Sequence, residues 1–367
     1  MFCKMRRLPY NVPFVAATLL LACVGATQRI NAQDSGNRNI LWSVDWSSDG
    51  KFFAVGGAWV GIFDAKTQQR RSSPALDSLK AVAKVRWHPH RNLLALSGGA
   101  DDVTAIYDPA TDQKITLKTQ EGTRGIAWNA SGDRVATAGN RGELQIWSVS
   151  GELLHTTRQE NAKSFTGVVW HPTNDTIITI GEFITLYDGK GNITRQVRPR
   201  PEAKGDVLLL CVEWHPSGEF FVVGDYGNTG TGDAPMLQFW SRDGKLLKAF
   251  EVKEGAAFRN VSWNRDGSLL ASASDALRIW SNDGQLRHVG LTPDLLWGVR
   301  WNREGNQLLT SSHEGRVSLW TAEAGILRNL VEVPAKETKP EQDGAANGSQ
   351  PIRSETNPTS PAAGSRR

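Results

Sequence analysis

Cysteine is scarce in this chain. Only three of its 367 residues are cysteines, and two of these, Cys3 and Cys23, lie within the first 32 residues. Cys211 is therefore alone in the rest of the chain, and one thiol cannot form an internal disulfide. This excludes a scaffold stapled by disulfides, so we expect side-chain packing to stabilise the fold.

An excess of charge of one sign is also missing. The formal net charge is +4, and residues 39–333 contain no long Lys/Arg run and no basic-aromatic motif, so we do not expect a nucleic-acid partner. The sequence contains no Gly-rich phosphate loop, no H-E-x-x-H and no G-x-S-x-G. We therefore expect no cofactor, no metal and no catalytic residue.

Tryptophan, in contrast, is abundant, with 14 copies. Half of them end a short apolar run and precede a turn, as in VRWHPHR and VSWNRDG, at intervals of 38 to 49 residues. A period near this length is typical of arrays of four-stranded units. We expect this repeated tryptophan to belong to the structural core of each unit: Trp46, Trp87, Trp128, Trp170, Trp214, Trp263 and Trp301.

Each unit also carries a second aromatic residue. In the sixth unit, FRNVSWN, SLLASAS, ALRIWS and QLRHVG read as four strands separated by turns. One such sheet cannot bury both of its faces, whereas seven sheets in a ring cover one another. The sequence therefore predicts an all-β fold, a single seven-bladed β-propeller with four antiparallel strands per blade, over residues 39–333. The second aromatics end the third strands: Phe63, Tyr107, Trp147, Tyr187, Trp240, Trp280 and Trp320.

The repeated pattern V-x-W-x-x-x-G followed by L-x-W-S/D-x-x-G-x-L resembles the WD-repeat β-propeller family over most of the chain. Members of that family often join Asp, His, Ser/Thr and Trp in a buried hydrogen-bond chain in each blade. Unit six has Ser272, Asp275 and Trp280 but no suitably placed His. We therefore expect packing, and not this network, to stabilise the blades.

The two ends of the chain differ from the repeats. Residues 1–32 combine a positive start with an apolar stretch over residues 12–26, which predicts a signal segment cleaved after Ala26 or Ala32. A short anchor that is not cleaved is the alternative. Residues 20–23 also resemble a lipoprotein signal, which would place a lipid on Cys23. We expect an exported, periplasmic or extracellular protein, or one anchored in the envelope by that lipid. Residues 334–367 read as a disordered tail.

Ring closure can be predicted from the last repeat. Residues 325–333 imitate the fourth strand of unit five, so we expect them to complete unit seven. The alternative is a strand from residues 27–33. Strand alternation places the residue before each repeated tryptophan in the central channel. These residues are Asp45, Arg86, Ala127, Val169, Glu213, Ser262 and Arg300.

Neighbouring charges in that inner ring predict a cluster at the closure point. Arg300, Asp45 and Arg86 come from consecutive blades of the closed ring, so we expect an Arg–Asp–Arg cluster, with three independent solvated charges as the alternative. The two inner-ring acids, Asp45 and Glu213, stand on blades one and five. We expect them to be too far apart to act together, which argues against a catalytic pair.

A partner surface is predicted where the loops enter the first strands. Trp42, Arg124, Arg259 and Trp297 stand four residues before a repeated tryptophan, and Trp and Arg are enriched at binding hot spots. We expect Trp42, Trp59 and Trp297 to cluster at one sector of this face. The alternative is that they seal the closure seam. Tyr226 is the only aromatic residue of a long connection over residues 225–235, which we expect to be mobile.

The most favoured function is therefore an exported, non-catalytic protein-interaction scaffold. We expect a monomer that binds a protein or peptide on this face, and contact with a membrane only if the N-terminus is retained or Cys23 is lipidated. The alternative is a secreted propeller hydrolase or lyase, which needs acids or His clustered at one channel mouth. His88, His171 and His215 instead recur at one turn position in three units, so we predict turn residues and not metal ligands.

Overall fold

The structure is a computed structural model, and it describes residues 39–99, 103–160, 162–228, 230–252 and 257–331. The predicted signal segment with Cys23 and the predicted tail lie outside these residues. The described part contains 27 strands in seven antiparallel sheets and one four-residue helix, α1 (Pro74–Asp77). Each sheet consists of strands that are consecutive in the chain, and each forms one blade.

The strands of the first four blades alternate with short turns. Blade one contains β1 (Leu41–Trp46), β2 (Phe52–Gly57) and β3 (Val60–Asp64), and blade two contains β4 (Val82–Trp87), β5 (Leu94–Gly98), β6 (Ala105–Asp108) and β7 (Gln113–Thr116). Blade three contains β8 (Thr123–Trp128), β9 (Arg134–Gly139), β10 (Glu143–Ser148) and β11 (Leu153–Arg158). Blade four contains β12 (Gly167–Trp170), β13 (Ile177–Ile180), β14 (Ile184–Tyr187) and β15 (Ile193–Val197).

The last three blades follow the same order. Blade five contains β16 (Leu209–Trp214), β17 (Phe220–Asp225), β18 (Met236–Ser241) and β19 (Leu246–Glu251). Blade six contains β20 (Asn260–Trp263), β21 (Leu269–Ala273), β22 (Ala276–Ser281) and β23 (Leu286–Leu291). Blade seven contains β24 (Leu296–Trp301), β25 (Gln307–Ser312), β26 (Val317–Thr321) and β27 (Ile326–Val331).

The two aromatic anchors of a blade lie in one row across its strands. Trp214 is opposite Phe221, which is opposite Trp240. Residues that are opposite one another project from the same face of a sheet, so both anchors of the blade lie on one face. That face packs against the preceding blade. Five repeated tryptophans are buried, whereas Trp46 and Trp128 are half-buried.

Apolar side chains fill the junctions between blades. In the described residues there are seven such clusters, one at each junction. At the junction of blades seven and one, Leu309 and Leu319 pack with Val44 and Phe53. The predicted seven-bladed propeller with four strands per blade is confirmed. In blade one the outermost strand is reduced to a single bridge between Phe63 and Arg70.

Blade seven is completed by the C-terminal segment, as predicted. β27 pairs with β26, with Ile326 opposite Trp320. In the described part of the chain, no strand passes from one side of the seam between blades one and seven to the other. The seam is held by the apolar cluster and by polar side-chain contacts. One of these is the 2.9 Å hydrogen bond that Arg303 Nη1 donates to the carbonyl oxygen of Ser48.

Each of the three Trp-His turns links its own blade to the following one. His171 Nε2 lies 2.9 Å from the carbonyl oxygen of Gly218 in the following blade, and its ring meets Trp214 edge-on at 4.5 Å. Its Nδ1 accepts from backbone N–H groups of its own turn, so Nε2 carries the proton that is donated. Gly218 has φ +75°, and a Cβ there would lie 2.3 Å from the imidazole. His88 and His215 contact Gly132 and Gly267 in the same way.

Buried hydrogen bonds within the blades correct the expectation of packing alone. Trp280 Nε1 donates to Ser272 Oγ at 2.9 Å, and Trp320 Nε1 donates to Thr310 Oγ1 at 2.8 Å. The serine or threonine lies on the second strand, two residues beyond the row of the aromatic anchors. The Trp–Ser/Thr half of the family's network is thus present without its histidine. The hydroxyl supplies an acceptor for an indole N–H that is buried at this position.

Removal of β27 tests the closure. A chain ending at Ala324 loses the strand that pairs with β26 and the buried Leu330 of the seam cluster. We expect it to show no cooperative thermal transition by circular dichroism. A chain ending at Val333 is the matched control and should melt like the full chain. A truncation at Ala324 that melts like this control would contradict closure by the C-terminal segment.

Acid sensitivity tests the histidine contacts. Burial and the nearby Arg91 lower the pKa of His88, so the folded protein resists a protonation that the unfolded chain accepts near pH 6.5. The contribution of neutral His88 is present above that pH and is lost as the pH falls through the folded-state pKa. We expect His88→Gln to cost about 1 kcal/mol at neutral pH and to lose less stability on acidification.

Urea unfolding at about pH 7 and about pH 5 measures this difference. His288→Gln, at an exposed position of β23, is the control and should follow the wild type at both pH values. An acid-induced loss of the same size in His88→Gln and in the wild type would show that His88 makes no such contribution.

Candidate functional site

The propeller has two ends with different chemistry. One end is formed by the segments that enter the first strands and by those that join the second to the third strands, and we call it the loop face. The opposite end is formed by the turns that follow the repeated tryptophans, and we call it the turn face. In five blades the residue four before the repeated tryptophan is the extra residue of a β-bulge, where the pairing register jumps. These residues are Trp42, Ala83, Arg124, Leu210 and Trp297.

Bulges redirect side chains at the ends of sheets, so this position is specialised for the loop face. Sequence reasoning found the position but not the bulge. The bulge adds one residue to the first strand, relative to strict alternation of its side chains. A break in that alternation is the sequence signal that could have indicated it. Blades four and six start later, and there Thr166 and Arg259 precede β12 and β20.

Arg259 lies at the centre of an aromatic cluster on the loop face. Its guanidinium carbon is 4.7 Å from the ring centre of Trp297 and 5.9 Å from that of Tyr226. His313 stacks near the Trp297 ring at 6.5 Å. These residues come from three consecutive blades, five, six and seven. Cation–π attraction holds the guanidinium between the rings, so this cluster is preorganised.

Polar atoms of this cluster have unused hydrogen-bonding capacity. In the described part of the chain, Arg259 Nε and Nη1 and Trp297 Nε1 are buried and have no hydrogen-bond partner. Burial lowers the pKa of Arg259, and the phenol of Tyr226 opposes this shift. The cluster therefore combines aromatic surface with a guanidinium whose N–H groups are only partly hydrogen-bonded within the described residues.

Trp59 belongs to a different environment. Its ring meets Phe63 edge-on at 6.1 Å, Arg70 lies 5.5 Å from its centre, and it packs against the seam cluster. Trp42 and Arg124 are half-buried and, among the described residues, have no ring contact. The expected sector of Trp42, Trp59 and Trp297 is therefore not joined by ring contacts. The structure brings Trp297 together with Arg259 and Tyr226 instead.

Polar contacts hold the base of the long connection over residues 225–235, and its expected mobility stays a prediction. The buried carboxylate of Asp225 accepts from the backbone N–H of Gly227 at 2.7 Å and of Met236 at 2.9 Å. Arg200 Nη1 donates to Asp225 Oδ2 at 3.4 Å and to the Ala234 carbonyl at 2.7 Å. Burial raises the pKa of Asp225, and these contacts oppose the shift. Tyr226 thus follows a fixed residue.

A second candidate site lies in the central channel. A cavity of about 530 Å³ is lined by inner-ring residues and by the turns that follow the repeated tryptophans, so it belongs to the turn face. Arg300 Nη1 lies 2.8 Å and 2.9 Å from the two carboxylate oxygens of Glu213, and Arg300 Nε lies 3.3 Å from Asp45 Oδ1. The other oxygen of Asp45 accepts from the backbone N–H of Trp87 at 2.8 Å.

The expected Arg–Asp–Arg cluster is present only in its Arg300–Asp45 half, and the expected separation of the two acids is wrong. Asp45 pairs with Arg300 but not with Arg86, whose Nη1 donates instead to the carbonyl of Val85 at 3.0 Å. Asp45 and Glu213 are not independent either, because one guanidinium binds both. The side chain of Arg300 is long enough to reach past the small Ser262 of blade six to blade five. Sequence alternation identified the ring members but could not show how far this arginine extends.

The carboxylates of the channel and the histidines of the Trp-His turns are engaged by other groups of the protein. Within the described residues, no group of three or more His, Cys, Asp or Glu side chains is arranged to hold a metal ion. Both channel carboxylates are bound by Arg300, and the turn histidines donate to glycine carbonyls of neighbouring blades. The same residues include no helix with the length and apolar character needed to cross a membrane.

Arg300 can be tested as the residue that pairs with both channel carboxylates. Arg300→Met removes the cation shared by two largely buried carboxylates, which then repel each other, and breaking a buried pair costs about 3 kcal/mol or more. We expect a larger loss of unfolding free energy than for Asp45→Ala. Urea unfolding measures both, with Arg242→Met at an exposed turn as the control. Equal losses for Arg300→Met and the control would contradict the role of Arg300.

Comparison with protein families gives matches to separate parts of the chain. The model for the WD domain, G-beta repeat, matches residues 29–59 and 284–321. The model for eukaryotic translation initiation factor eIF2A matches residues 61–186. Both stretches include propeller strands described above.

Relatives in other organisms share parts of the propeller. The chain is 23% identical over 200 residues to the intraflagellar transport protein 80 homolog of Mus musculus, covering 52% of this chain and 23% of that protein. It is 26% identical over 145 residues to WD repeat-containing protein slp1 of Schizosaccharomyces pombe, covering 38% and 29%. F-box-like/WD repeat-containing protein TBL1X of Mus musculus is 33% identical over 146 residues, covering 34% and 27%.

The matched regions span less than a third of the length of these relatives. A chain in a crystal structure of the mitotic checkpoint complex superposes with a TM-score of 0.65 at 15% identity, covering 87% of this chain and 99% of that chain. This likeness shows the fold. Relatives with WD repeats suggest a protein-interaction scaffold. With repeats matched at both ends of the ring and seven blades in the structure, the chain is a WD-repeat β-propeller.

Proposed function

We propose that this protein is an exported, non-catalytic interaction scaffold that binds a protein or peptide partner on its loop face. The observation that carries the proposal is the Arg259 cluster. Its guanidinium lies between two aromatic rings, and some of its N–H groups lack a partner among the described residues. Arg, Trp and Tyr are the residues most enriched at binding hot spots, and preorganised side chains lose little entropy on binding.

The position of the cluster supports a large ligand in preference to a small one. Arg259, Tyr226 and Trp297 come from three neighbouring blades, so a partner that contacts all three spans several loops. Tyr226 follows the anchored Asp225, and Trp297 is redirected by the bulge in β24. Rigid strands and a tied loop therefore present the three side chains together.

The state of the channel acids supports a non-catalytic role. A secreted hydrolase or lyase needs an acid or base that is free to exchange a proton at a channel mouth. Asp45 and Glu213 are both held in ion pairs with Arg300. This arrangement is better suited to a structural contact than to proton transfer.

Export is proposed from the sequence of residues 1–32 alone. A positive start and an apolar core of roughly 15 residues are typical of a signal peptide. Mass spectrometry of the mature N-terminus tests this proposal. A start at Thr27 or Gln33 indicates free export, and a lipid on Cys23 indicates an envelope anchor. A chain that retains Met1 in the producing cell would contradict both.

The loop face can be tested by reversing one charge. Arg259→Glu replaces the central cation, so a partner that uses this cluster should bind at least about tenfold more weakly, which corresponds to about 1.4 kcal/mol. Quantitative affinity capture from the exported fraction, followed by titration of the captured protein, measures the change. Arg242→Glu, an exposed change on the turn face, is the matched control.

Melting curves of both variants show whether the fold is retained. A partner lost with Arg259→Glu and kept with Arg242→Glu supports the proposal. Partners that bind both variants as tightly as the wild type would exclude this cluster as the binding surface.

A further inference from the structure

We propose that the central channel binds a carboxylate group on Lys84 and Arg86, which it reaches through the cavity of the turn face. This site lies at the opposite end of the propeller from the Arg259 cluster and does not depend on the loop-face proposal. Lys84 and Arg86 stand two residues apart on β4, so alternation places both on the channel side of the strand. Arg86 lines the cavity, and Lys84 lies two residues farther along β4 from the turn face.

The first support is the balance of charge in the channel. Three cations, Lys84, Arg86 and Arg300, interact there with two carboxylates, Asp45 and Glu213. Both carboxylates form ion pairs with Arg300. Among the described residues, neither Lys84 nor Arg86 has a carboxylate oxygen within 4.0 Å. A single additional negative charge would therefore balance the channel.

The second support is unused hydrogen-bonding capacity. The only hydrogen bond that the Arg86 guanidinium donates within the described residues joins Nη1 to the carbonyl of its own neighbour, Val85. Lys84 has no hydrogen-bond partner there. A guanidinium offers five N–H donors in a planar fork that matches a carboxylate, so Arg86 retains most of its capacity for a ligand.

The third support is space. Beside Arg86, the cavity is lined on blades three and four by the small or aliphatic residues Ala127 and Val169. Its volume of about 530 Å³ is within the size range of small-molecule sites.

The electrostatics favour a monoanion over other ligands. Burial and the neighbouring Arg86 and Arg300 lower the pKa of Lys84 well below its ordinary value, and burial and Arg300 lower the pKa of Arg86 to about 10. Charged Lys84 is thus repelled by Arg86 and Arg300, and Arg86 by Arg300, and a bound anion would offset this repulsion. A dianion would in addition be repelled by Asp45 and Glu213, so a carboxylate fits better than a phosphate.

The carboxylate can come from a small organic acid or from a Glu side chain that a partner inserts. Acetate represents the first source. A blocked peptide Gly-Gly-Glu-Gly-Gly, compared with the same peptide carrying Gln, represents the second. The experiment uses the full chain, with thermal unfolding in sodium acetate and in sodium chloride of equal ionic strength, and with calorimetric titration of the two peptides.

We expect acetate to raise the melting temperature of the wild type above its value in chloride, or the Glu peptide to bind at least about tenfold more tightly than the Gln peptide. Lys84→Met and Arg86→Met should abolish these gains, whereas Arg242→Met should retain them. In chloride, Lys84→Met should melt at or above the wild-type temperature because it removes a half-buried charge that has no ion-pair partner among the described residues. This variant therefore stays informative if Arg86→Met unfolds.

The two arms also separate the sources. A gain from acetate alone indicates a small organic acid, and binding of the Glu peptide alone indicates an inserted side chain; either result supports the site. Equal melting in acetate and chloride together with equal binding of the two peptides would overturn the proposal. Gains that persist in Lys84→Met and Arg86→Met would overturn it as well.

Discussion

The aromatic face of each blade is buried by the preceding blade, and the ring must close for the first blade to be covered. Trp46 and Phe63 of blade one pack with Leu309 and Leu319 of blade seven. A fully buried aromatic side chain contributes on the order of 3–5 kcal/mol relative to alanine. Because every blade depends on its neighbour in this way, the positions of the loops, the channel and both candidate sites follow from these seven junctions.

Polar contacts cross the junctions at both ends of the propeller. On the turn face, the Trp-His turns reach the next blade through glycine carbonyls, and Asp45 joins blade one to Trp87 of blade two and to Arg300 of blade seven. On the loop face, Thr166 Oγ1 donates to the carbonyl of Leu209 in the next blade at 2.6 Å. The bulges and the Arg259 cluster therefore stand on junctions that are held at both ends, and binding residues need a scaffold that keeps their geometry.

The architecture could be predicted because its signal is repeated. Seven tryptophans near one period, with a second aromatic in each unit, determine the number of blades, and alternation determines which residues face the channel. The C-terminal strand was also predictable, since its sequence imitates that of blade five. Each of these inferences uses positions within one strand or one repeat.

Contacts between distant residues could not be derived in this way. Arg300 reaches Glu213 across the channel, Arg200 ties down the loop after β17, and Arg259 lies against Tyr226 and Trp297. All three involve a long arginine whose direction depends on the space that neighbouring blades leave. Local pattern gives the residue type and its face, whereas the partner is decided by the assembled ring.

The seam between blades one and seven has a mechanical consequence. In the described part of the chain no backbone ladder bridges it, so the ring is a row of complete sheets joined end to end by side chains. A force applied to the two ends of the chain would act first on those side chains and on the outermost strand of blade seven. Resistance to pulling would therefore be set by the weakest junction and not by the summed strength of the sheets. The same arrangement leaves every sheet intact in a circularly permuted chain that starts between any two blades.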